Sequence, residues 1–278
     1  MRSDTYPDRD DLEFSPRAGL VWRLDDTWRT HASTYPAFRL PSLNELYRPF
    51  RIGNTITEAN PDLAPESLLG FEIGATRSTA HSTLRVNAFT NDLDSAIANV
   101  TLGASPGVVP GVGFVLAGGL GRRRQNLERA RIQGIELTGT WHVDSSLNLR
   151  ADYLYTHAKD TTSGQTLPQV PAHTRVLGAT WRPSSFWSFS AQTRYLSAAF
   201  DDDANTLVRN AVTTVDLRVS RHLGAGREIF LSVENAMDEE IVTRRTVGGL
   251  YDLGPPSLHP HRGPLGLVGI SSAPHLTA

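Results

Sequence analysis

The sequence contains no cysteine, which excludes a disulfide framework, a thiolate metal site and a thiol nucleophile. No uninterrupted apolar run approaches the ~20 residues of a membrane-spanning helix. Mean hydropathy is -0.28, a value that strands of alternating polarity would also give. The formal net charge is -2, and no basic stripe indicates a nucleic-acid partner. The run Arg122-Arg123-Arg124 is interpreted as loop charge at a strand entrance.

Motifs of common catalytic and nucleotide-binding sites are absent as well. The sequence has no GxxxxGK and no HExxH, and no βαβ unit surrounds the glycines of 103–121. Asp201-Asp202-Asp203 begins like a calcium loop, but Thr206 replaces the required glycine and Val212 replaces the bidentate glutamate. A solvated acidic loop is therefore expected there. We predict no catalytic residue, no metal ligand and no cofactor, so the chain is not expected to be an enzyme.

Between residues 17 and 237, segments of alternating polarity are joined in turn by short links and long links. A membrane β-barrel needs tilted strands of ~9–11 residues, tight turns on one rim and long loops on the other. The pattern predicts an all-β fold, a portion of an antiparallel membrane barrel with about ten strands. The short links are 25–26, 78–81, 144–146, 183–185 and 224–226, and the long links are roughly 36–66, 92–128, 159–172 and 198–210.

Each segment carries one apolar row and one polar row, because successive side chains of a strand point to opposite faces. In a barrel the apolar row meets lipid and the polar row meets a wet lumen, whereas in a soluble sandwich the polar row meets bulk water. Alternation alone leaves both readings open. We assign to lipid Leu149, Tyr153, Phe189, Leu217 and Val219, and to the lumen His31, His142 and Ser190.

The tryptophans favour the membrane. All five lie close to a short link and in a predominantly apolar row: Trp22, Trp28, Trp141, Trp181 and Trp187. Indole combines an apolar body with one polar N–H, so aromatic belts form at membrane–water interfaces. A general preference of aromatics for strands would explain their presence but not their clustering at one rim. We predict that they lie at the lipid interface, with a second girdle of Tyr35, Tyr153, Tyr155 and Tyr195 toward the long links.

Two distinctive sequence motifs lie in the first long link. Residues 38–54 read FRLPSLNELYRPFRIGN, and 60–66 read NPDLAPE. Together they resemble the barrel of TonB-dependent outer-membrane receptors, where such a loop precedes an NPxLxPE entry into the next strand. Further resemblances follow in the family's order at 99–102, 133–137, 167–173 and 233–238.

The resemblance implies a barrel of about twenty-two strands around an N-terminal plug, with short turns on the periplasmic side. This chain is similar to the second half of that barrel, without the plug, the segment that contacts the energy-coupling protein TonB, or the closing strand. The resemblance also implies a location in the outer membrane of a Gram-negative bacterium. Its expected partners are membrane lipid and an unknown small molecule. The first residues, MRSDTY, lack the apolar core of a secretion signal, so a longer precursor or a chain that is not exported is expected.

Three regions are predicted: an N-terminal coil at 1–13, a partial receptor barrel at 14–254, and a Pro/Gly-rich disordered tail at 255–278. A barrel portion with this many strands was not selected for closure at a smaller size, so an open, curved half-barrel is expected. The expected function is barrel wall and outer loops for energy-coupled uptake of a siderophore or other metal chelate, by a fragment unable to transport alone. A passive porin-like or structural barrel component and a soluble β-rich binding module remain alternatives.

Four side chains of the first long loop are candidates for ligand binding: Arg39, Tyr47, Arg48 and Arg51. Guanidinium forks and an aromatic surface suit an anionic ligand. Alternatively, the arginines pair with neighbouring loop carboxylates such as Glu45 and Glu58 and hold the loop folded.

Overall fold

The computed structural model describes residues 2–6, 9–104, 106–126, 129–224, 227–245, 251–253 and 265–272. Within them no helix is long and apolar enough to cross a membrane. The first strands are β1 (Arg2–Tyr6), β2 (Arg9–Glu13), β3 (Ala18–Arg23), β4 (Trp28–Arg39), β5 (Phe50–Ile52), β6 (Thr55–Glu58), β7 (Glu66–Ser78), β8 (Ser82–Asp94), β9 (Ile97–Ala104), β10 (Gly107–Val109), β11 (Gly113–Val115) and β12 (Leu120–Asn126). The remaining strands are β13 (Arg129–His142), β14 (Leu147–Asp160), β15 (His173–Ser184), β16 (Trp187–Leu196), β17 (Ala199–Phe200), β18 (Val208–Arg209), β19 (Val212–Gly224), β20 (Arg227–Glu234), β21 (Val242–Arg245), β22 (Tyr251–Leu253) and β23 (Leu265–Ser272), and the one described helix is α1 (Leu43–Tyr47).

One large antiparallel sheet dominates the fold. Its strand order is β3-β4-β7-β8-β13-β14-β15-β16-β19-β20-β23, so ten of its strands lie between Ala18 and Glu234. Among the described residues, β3 and β23 each pair with a single neighbour, and the sheet does not close on itself. The prediction of an open, curved antiparallel sheet is therefore confirmed.

The connections alternate in length, as predicted. Tight links of 24–27, 79–81, 143–146 and 185–186 lie at one rim of the sheet. The links 40–65, 95–128, 161–172 and 197–211 lie at the other rim, and most of them carry short strands of their own. We call these two edges the short-turn rim and the long-loop rim.

The two faces of the sheet keep the predicted chemistry across neighbouring strands. Residues paired in register share a face, and one such row is Leu20, Ala32, Ile73, Ala88 and Ile135. This outward face is exposed: Ile73 has 64 % of its surface accessible and Leu177 has 58 %. In the part of the chain that the structure describes, neither a helix nor a second sheet covers it. The opposite face carries the polar row Asn148, Thr180, Ser190, Arg218 and Ser232.

Glycines on the polar face make room for rings from neighbouring strands. A Cβ on Gly70 would lie 2.3 Å from Cε2 of Tyr35, and a Cβ on Gly134 would lie 2.5 Å from Cζ of Phe89. Tyr35 was predicted to join the second aromatic girdle, and that assignment is wrong. Its position in β4 places the ring on the polar face, where its hydroxyl donates to Oδ1 of Asn91 at 3.3 Å.

Both predicted coil segments contain strands. At the N-terminus β1 and β2 pair antiparallel, with Arg2 opposite Glu13 in the register. In the tail, β23 pairs with β20 from Arg227↔Ser272 to Glu234↔Leu265. No proline falls within 265–272, so nothing there prevents ladder hydrogen bonds. The rest of the predicted tail lies outside the described residues.

The glycine positions predict a contrast within β13. A Cβ on Gly134 would also lie 2.4 Å from the backbone oxygen of Tyr155, whereas at Gly139 the nearest atom is 3.7 Å away. We expect Gly134→Ala to destabilise the folded chain by ~1–3 kcal/mol through overpacking, and Gly139→Ala to be nearly neutral. Urea unfolding of the chain in detergent micelles measures both. Equal midpoints for the two variants would contradict the ring-over-glycine packing.

Candidate functional site

The first two long loops fold together at the long-loop rim. They form a four-stranded sheet of order β5-β6-β12-β9, in which β6 and β12 run parallel and the other pairs antiparallel. We call residues 40–65 and 95–126 the cap. Its interior is fully buried at Leu46, Leu63 and Val115, so the cap is a packed unit with its own small core.

Helix α1 begins with a capping box. The Ser42 hydroxyl accepts from the Glu45 amide at 3.3 Å, and Oε2 of Glu45 accepts from the Ser42 amide at 2.8 Å. This reciprocal pairing satisfies two backbone donors that the start of a helix leaves free. The sequence SLNE therefore fixes where the helix starts and which way its carboxylate points.

Arg39 joins the barrel wall to this helix. Its Nη2 donates to Oε1 of Glu66 at 2.9 Å, and its Nη1 donates to Oε2 of Glu45 at 2.9 Å. Glu66 lies opposite Arg39 in the β4–β7 register and also accepts from the amide of Ile97 at 2.6 Å. The expected alternative, pairing with Glu45, is therefore present for Arg39. No ion pair of Glu58 occurs among the residues that the structure describes.

The charges of this cluster reinforce one another. The hydrogen bond to Glu66 raises the pKa of Arg39 above its ordinary value. For Glu45, burial opposes ionisation most strongly, but hydrogen bonds from Arg39 and Ser42 together outweigh it and lower the pKa. Both groups are therefore firmly charged at neutral pH.

Arginines of β12 hold the cap from inside. Nη1 of Arg124 donates to the carbonyl of Arg48 at 3.0 Å, and its guanidinium lies 4.9 Å from the centre of the Phe50 ring. Arg122 is only 8 % exposed. Burial lowers the pKa of both arginines. Loop charge at a strand entrance was expected here, whereas Arg122 and Arg124 lie within β12 and are each only 8 % exposed.

Hydrogen bonds of two asparagines show the structural role of the NPDLAPE segment. Nδ2 of Asn60 donates to the carbonyl of Arg124 at 2.9 Å, and Oδ1 of Asn60 accepts from Arg123 at 3.0 Å. Asn126 binds both backbone groups of Ala64, at 2.8 and 3.0 Å. The segment therefore connects the two long loops that build the cap.

The acidic run of the fourth long loop also connects loops. Asp203 accepts from the Thr101 amide at 3.0 Å and the Thr101 hydroxyl at 2.9 Å. Asp201 accepts from the Arg245 amide at 2.6 Å, and Asn205 binds both backbone groups of Thr166. The expectation of a solvated loop is wrong, because Asp201 is only 5 % exposed. Backbone amides from several loops take the place of water.

The other three candidate ligand residues lie on the outer surface of the cap. Tyr47 ends α1 and is 45 % exposed, and Leu43, one turn earlier, is 62 % exposed. Arg48 and Arg51 are exposed and have no carboxylate partner in the described part of the chain. Within the same residues no cluster of three or more His, Cys, Asp or Glu side chains could hold a metal. The cap thus offers an aromatic ring and two unpaired cations to solvent.

Acid should loosen the start of α1. The folded pKa of Glu45 lies below its ordinary value of 4.5, so its contribution to stability is present above pH 4.5 and disappears as pH falls through the folded value. We expect amide hydrogen exchange across 42–47, corrected for intrinsic rates, to accelerate in that acid range. Glu45→Gln should remove the pH dependence and Glu58→Gln should not. An unchanged pH profile in Glu45→Gln would contradict this role.

Comparison with known proteins identifies the barrel. A family described as TonB dependent receptor-like, beta-barrel, matches residues 2–236. The chain is 26% identical over 238 residues to the iron-regulated outer membrane virulence protein of Vibrio cholerae, covering 82% of this chain and 36% of that protein. It is 25% identical over 229 residues to the vitamin B12 transporter BtuB of Photobacterium profundum, covering 81% and 34%. The chain therefore spans about a third of the length of these relatives.

Solved structures share the same architecture. The copper transporter OprC superposes with a TM-score of 0.66 at 17% identity, covering 84% of this chain and 34% of that one. The ferric enterobactin receptor PfeA of Pseudomonas aeruginosa gives 0.66 at 19% identity, covering 88% and 37%. These relatives are transporters and receptors rather than enzymes, as predicted. By its sequence match and its open strand wall, this chain belongs to the β-barrel family of TonB-dependent outer-membrane receptors.

Proposed function

We propose that this chain forms barrel wall and extracellular loops of a receptor for energy-coupled uptake of a scarce nutrient, a siderophore or another metal chelate. The observation that carries this proposal is that one strand wall has two rims of different structure. Its outward face is apolar and uncovered, its tight turns lie at one rim, and a packed cap stands at the other. The named relatives, an iron-regulated protein and a vitamin B12 transporter, support uptake of a metal-containing compound.

The wall is proposed to meet lipid with its outward face. The five tryptophans all lie on that face or at its short-turn rim and are exposed, from 38 % at Trp28 to 65 % at Trp22. In hydrocarbon no water can bind an unpaired backbone group, and each such group costs free energy. A sheet that spans the membrane must therefore close. The described sheet has two free edges at β3 and β23. We therefore expect the chain not to enclose a transport pathway alone, and we assign the contact with TonB to another part of the receptor.

The ligand contact is assigned to the outer surface of the cap. Tyr47, Arg48 and Arg51 are accessible there, and an exposed guanidinium without an internal partner can bind an external anion in a bidentate manner. Arg39 was a candidate for the same role. Its two carboxylate partners indicate that it supports the site instead, by holding α1 and therefore Tyr47 in place.

Substitution by arginine tests the lipid-facing side. Leu217 lies on the outward face of β19 and Ser190 on the polar face of β16. We expect Leu217→Arg to lower insertion stability by roughly 2–4 kcal/mol, because an arginine at mid-membrane depth must be desolvated. Ser190→Arg should have a mild effect. The check is a refolding titration of each variant from detergent into lipid vesicles, and equal losses would refute the assignment of faces.

Charge reversal tests the ligand surface. We expect the double variant Arg48→Glu, Arg51→Glu to bind ferric enterobactin, an anionic chelate, at least about tenfold more weakly than the parent chain, equivalent to ~1.4 kcal/mol. Quenching of tryptophan fluorescence in detergent measures the dissociation constants. Arg182→Glu is the matched control, because Arg182 is exposed near the short-turn rim. An unchanged affinity in the double variant would reject the cap as the anion-binding surface.

A further inference from the structure

Two tryptophans of the short-turn rim are each paired with an arginine on the outward face. Trp28 of β4 lies opposite Arg77 of β7 in the register, and the guanidinium carbon is 5.9 Å from the ring centre. Trp187 of β16 lies opposite Arg221 of β19, at 5.3 Å. The same cross-strand arrangement therefore occurs twice, on different strand pairs and at the same rim.

Neither arginine has a carboxylate partner among the described residues, although both are exposed. At the long-loop rim of the same face the situation differs, since Arg129 pairs with Asp94 at 2.9 Å and Arg131 pairs with Asp92 at 2.5 Å. Thus Arg129 and Arg131 are neutralised within the protein, whereas Arg77 and Arg221 are not.

A carboxylate that interacts electrostatically with Arg77 is already engaged by hydrogen bonds. Asp25, in the tight link before β4, accepts through Oδ1 from the amides of Thr27 and Trp28, each at 2.7 Å. It contributes only a weaker electrostatic attraction to Arg77. The guanidinium edge of Arg77 is therefore free to bind an anion from outside the protein.

Beyond each arginine the outward row continues with an aliphatic side chain. Arg77 lies opposite Leu84 of β8, and Arg221 lies opposite Ile229 of β20. Leu84 is 47 % exposed and Ile229 is 41 % exposed. Each site thus presents an indole, a cation and an apolar side chain in sequence across three strands. That order suits a molecule with an anionic head and an apolar tail.

We propose that each Trp–Arg pair binds the phosphate of an anionic glycerophospholipid in the leaflet at the short-turn rim. The planar guanidinium matches phosphate oxygens with two parallel hydrogen bonds. Stacking on the indole holds the guanidinium at the depth where tryptophan anchors in the headgroup region. The inference rests on the proposed function in one respect, that the outward face meets lipid. A side chain that merely extends to water would show no headgroup preference.

Brominated lipids test the sites with the full chain refolded into phosphatidylcholine vesicles. Changing Trp22, Trp141 and Trp181 to Phe leaves Trp28 and Trp187 as reporters. At equal mole fraction, brominated phosphatidylglycerol should quench them more than brominated phosphatidylcholine does. The expected local enrichment is about fivefold, which corresponds to ~1 kcal/mol for a basic residue near an anionic surface.

Two further variants supply the controls. Adding Arg77→Gln and Arg221→Gln to the reporter chain should remove the headgroup preference, whereas Arg131→Gln should leave it intact. A reciprocal chain with Trp28→Phe and Trp187→Phe reports from the tryptophans that have no stacked arginine, and its quenching by the two lipids should be equal. A preference of the same size in that chain would show general attraction of anionic lipid and overturn the sites.

The remaining outcomes separate this inference from the proposed function. Equal quenching of Trp28 and Trp187 by both brominated lipids would overturn the phosphate sites while still placing the wall in the bilayer. No quenching by either lipid would overturn both the sites and the membrane-facing wall. Loss of the headgroup preference in 1 M salt, where the Debye length is ~3 Å, would support an electrostatic origin.

Discussion

Backbone hydrogen bonding between neighbouring strands is the constraint on which the whole molecule depends. A sheet that meets hydrocarbon has no water to satisfy its amides and carbonyls, and each unpaired group costs several kcal/mol. Long unbroken registers follow from this, such as the pairing of β13 with β14 from Ala130↔Asp160 to His142↔Asn148. The same constraint makes an open sheet incomplete, because β3 and β23 each leave one edge without a described partner.

The two rims satisfy the backbone polar groups of their chain reversals in different ways. At the short-turn rim a single carboxylate completes two of the tight links: hydrogen bonds from Thr27 and Trp28 lower the pKa of Asp25, and hydrogen bonds from Ser146 and Leu147 lower that of Asp144. Such a turn leaves little surface for recognition. At the long-loop rim the chain builds small sheets and buried side chains instead, so the loops can vary in sequence while the packed cap keeps their exposed residues in position.

The strands of the wall were predictable because alternation is a local property, and each wall segment repeats it. Tyr35 could have been placed correctly from sequence, because it lies four residues after the lumen-assigned His31 in β4 and alternation puts both on one face. The other misses are non-local. The cap sheet depends on parallel pairing of β6 with β12, which are far apart in sequence. Asp201 is polar in isolation, and only amides from other loops make its burial possible. Of the candidate ligand residues, the sequence could name Arg39 but not choose between its two roles.

Arginine partners distinguish structural cations from cations directed outward. Arg39 and Arg131 each meet a carboxylate of their own chain, and such pairs hold one strand or loop to another. Arg48 and Arg51 on the cap, and the arginines stacked on tryptophan at the opposite rim, have none among the described residues. An exposed cation gains little from the fold itself, so its position is better explained by an anion outside the protein. We propose that at the cap this anion is a soluble ligand and that at the short-turn rim it is a lipid headgroup, because an uncovered apolar wall begins beside the charge there.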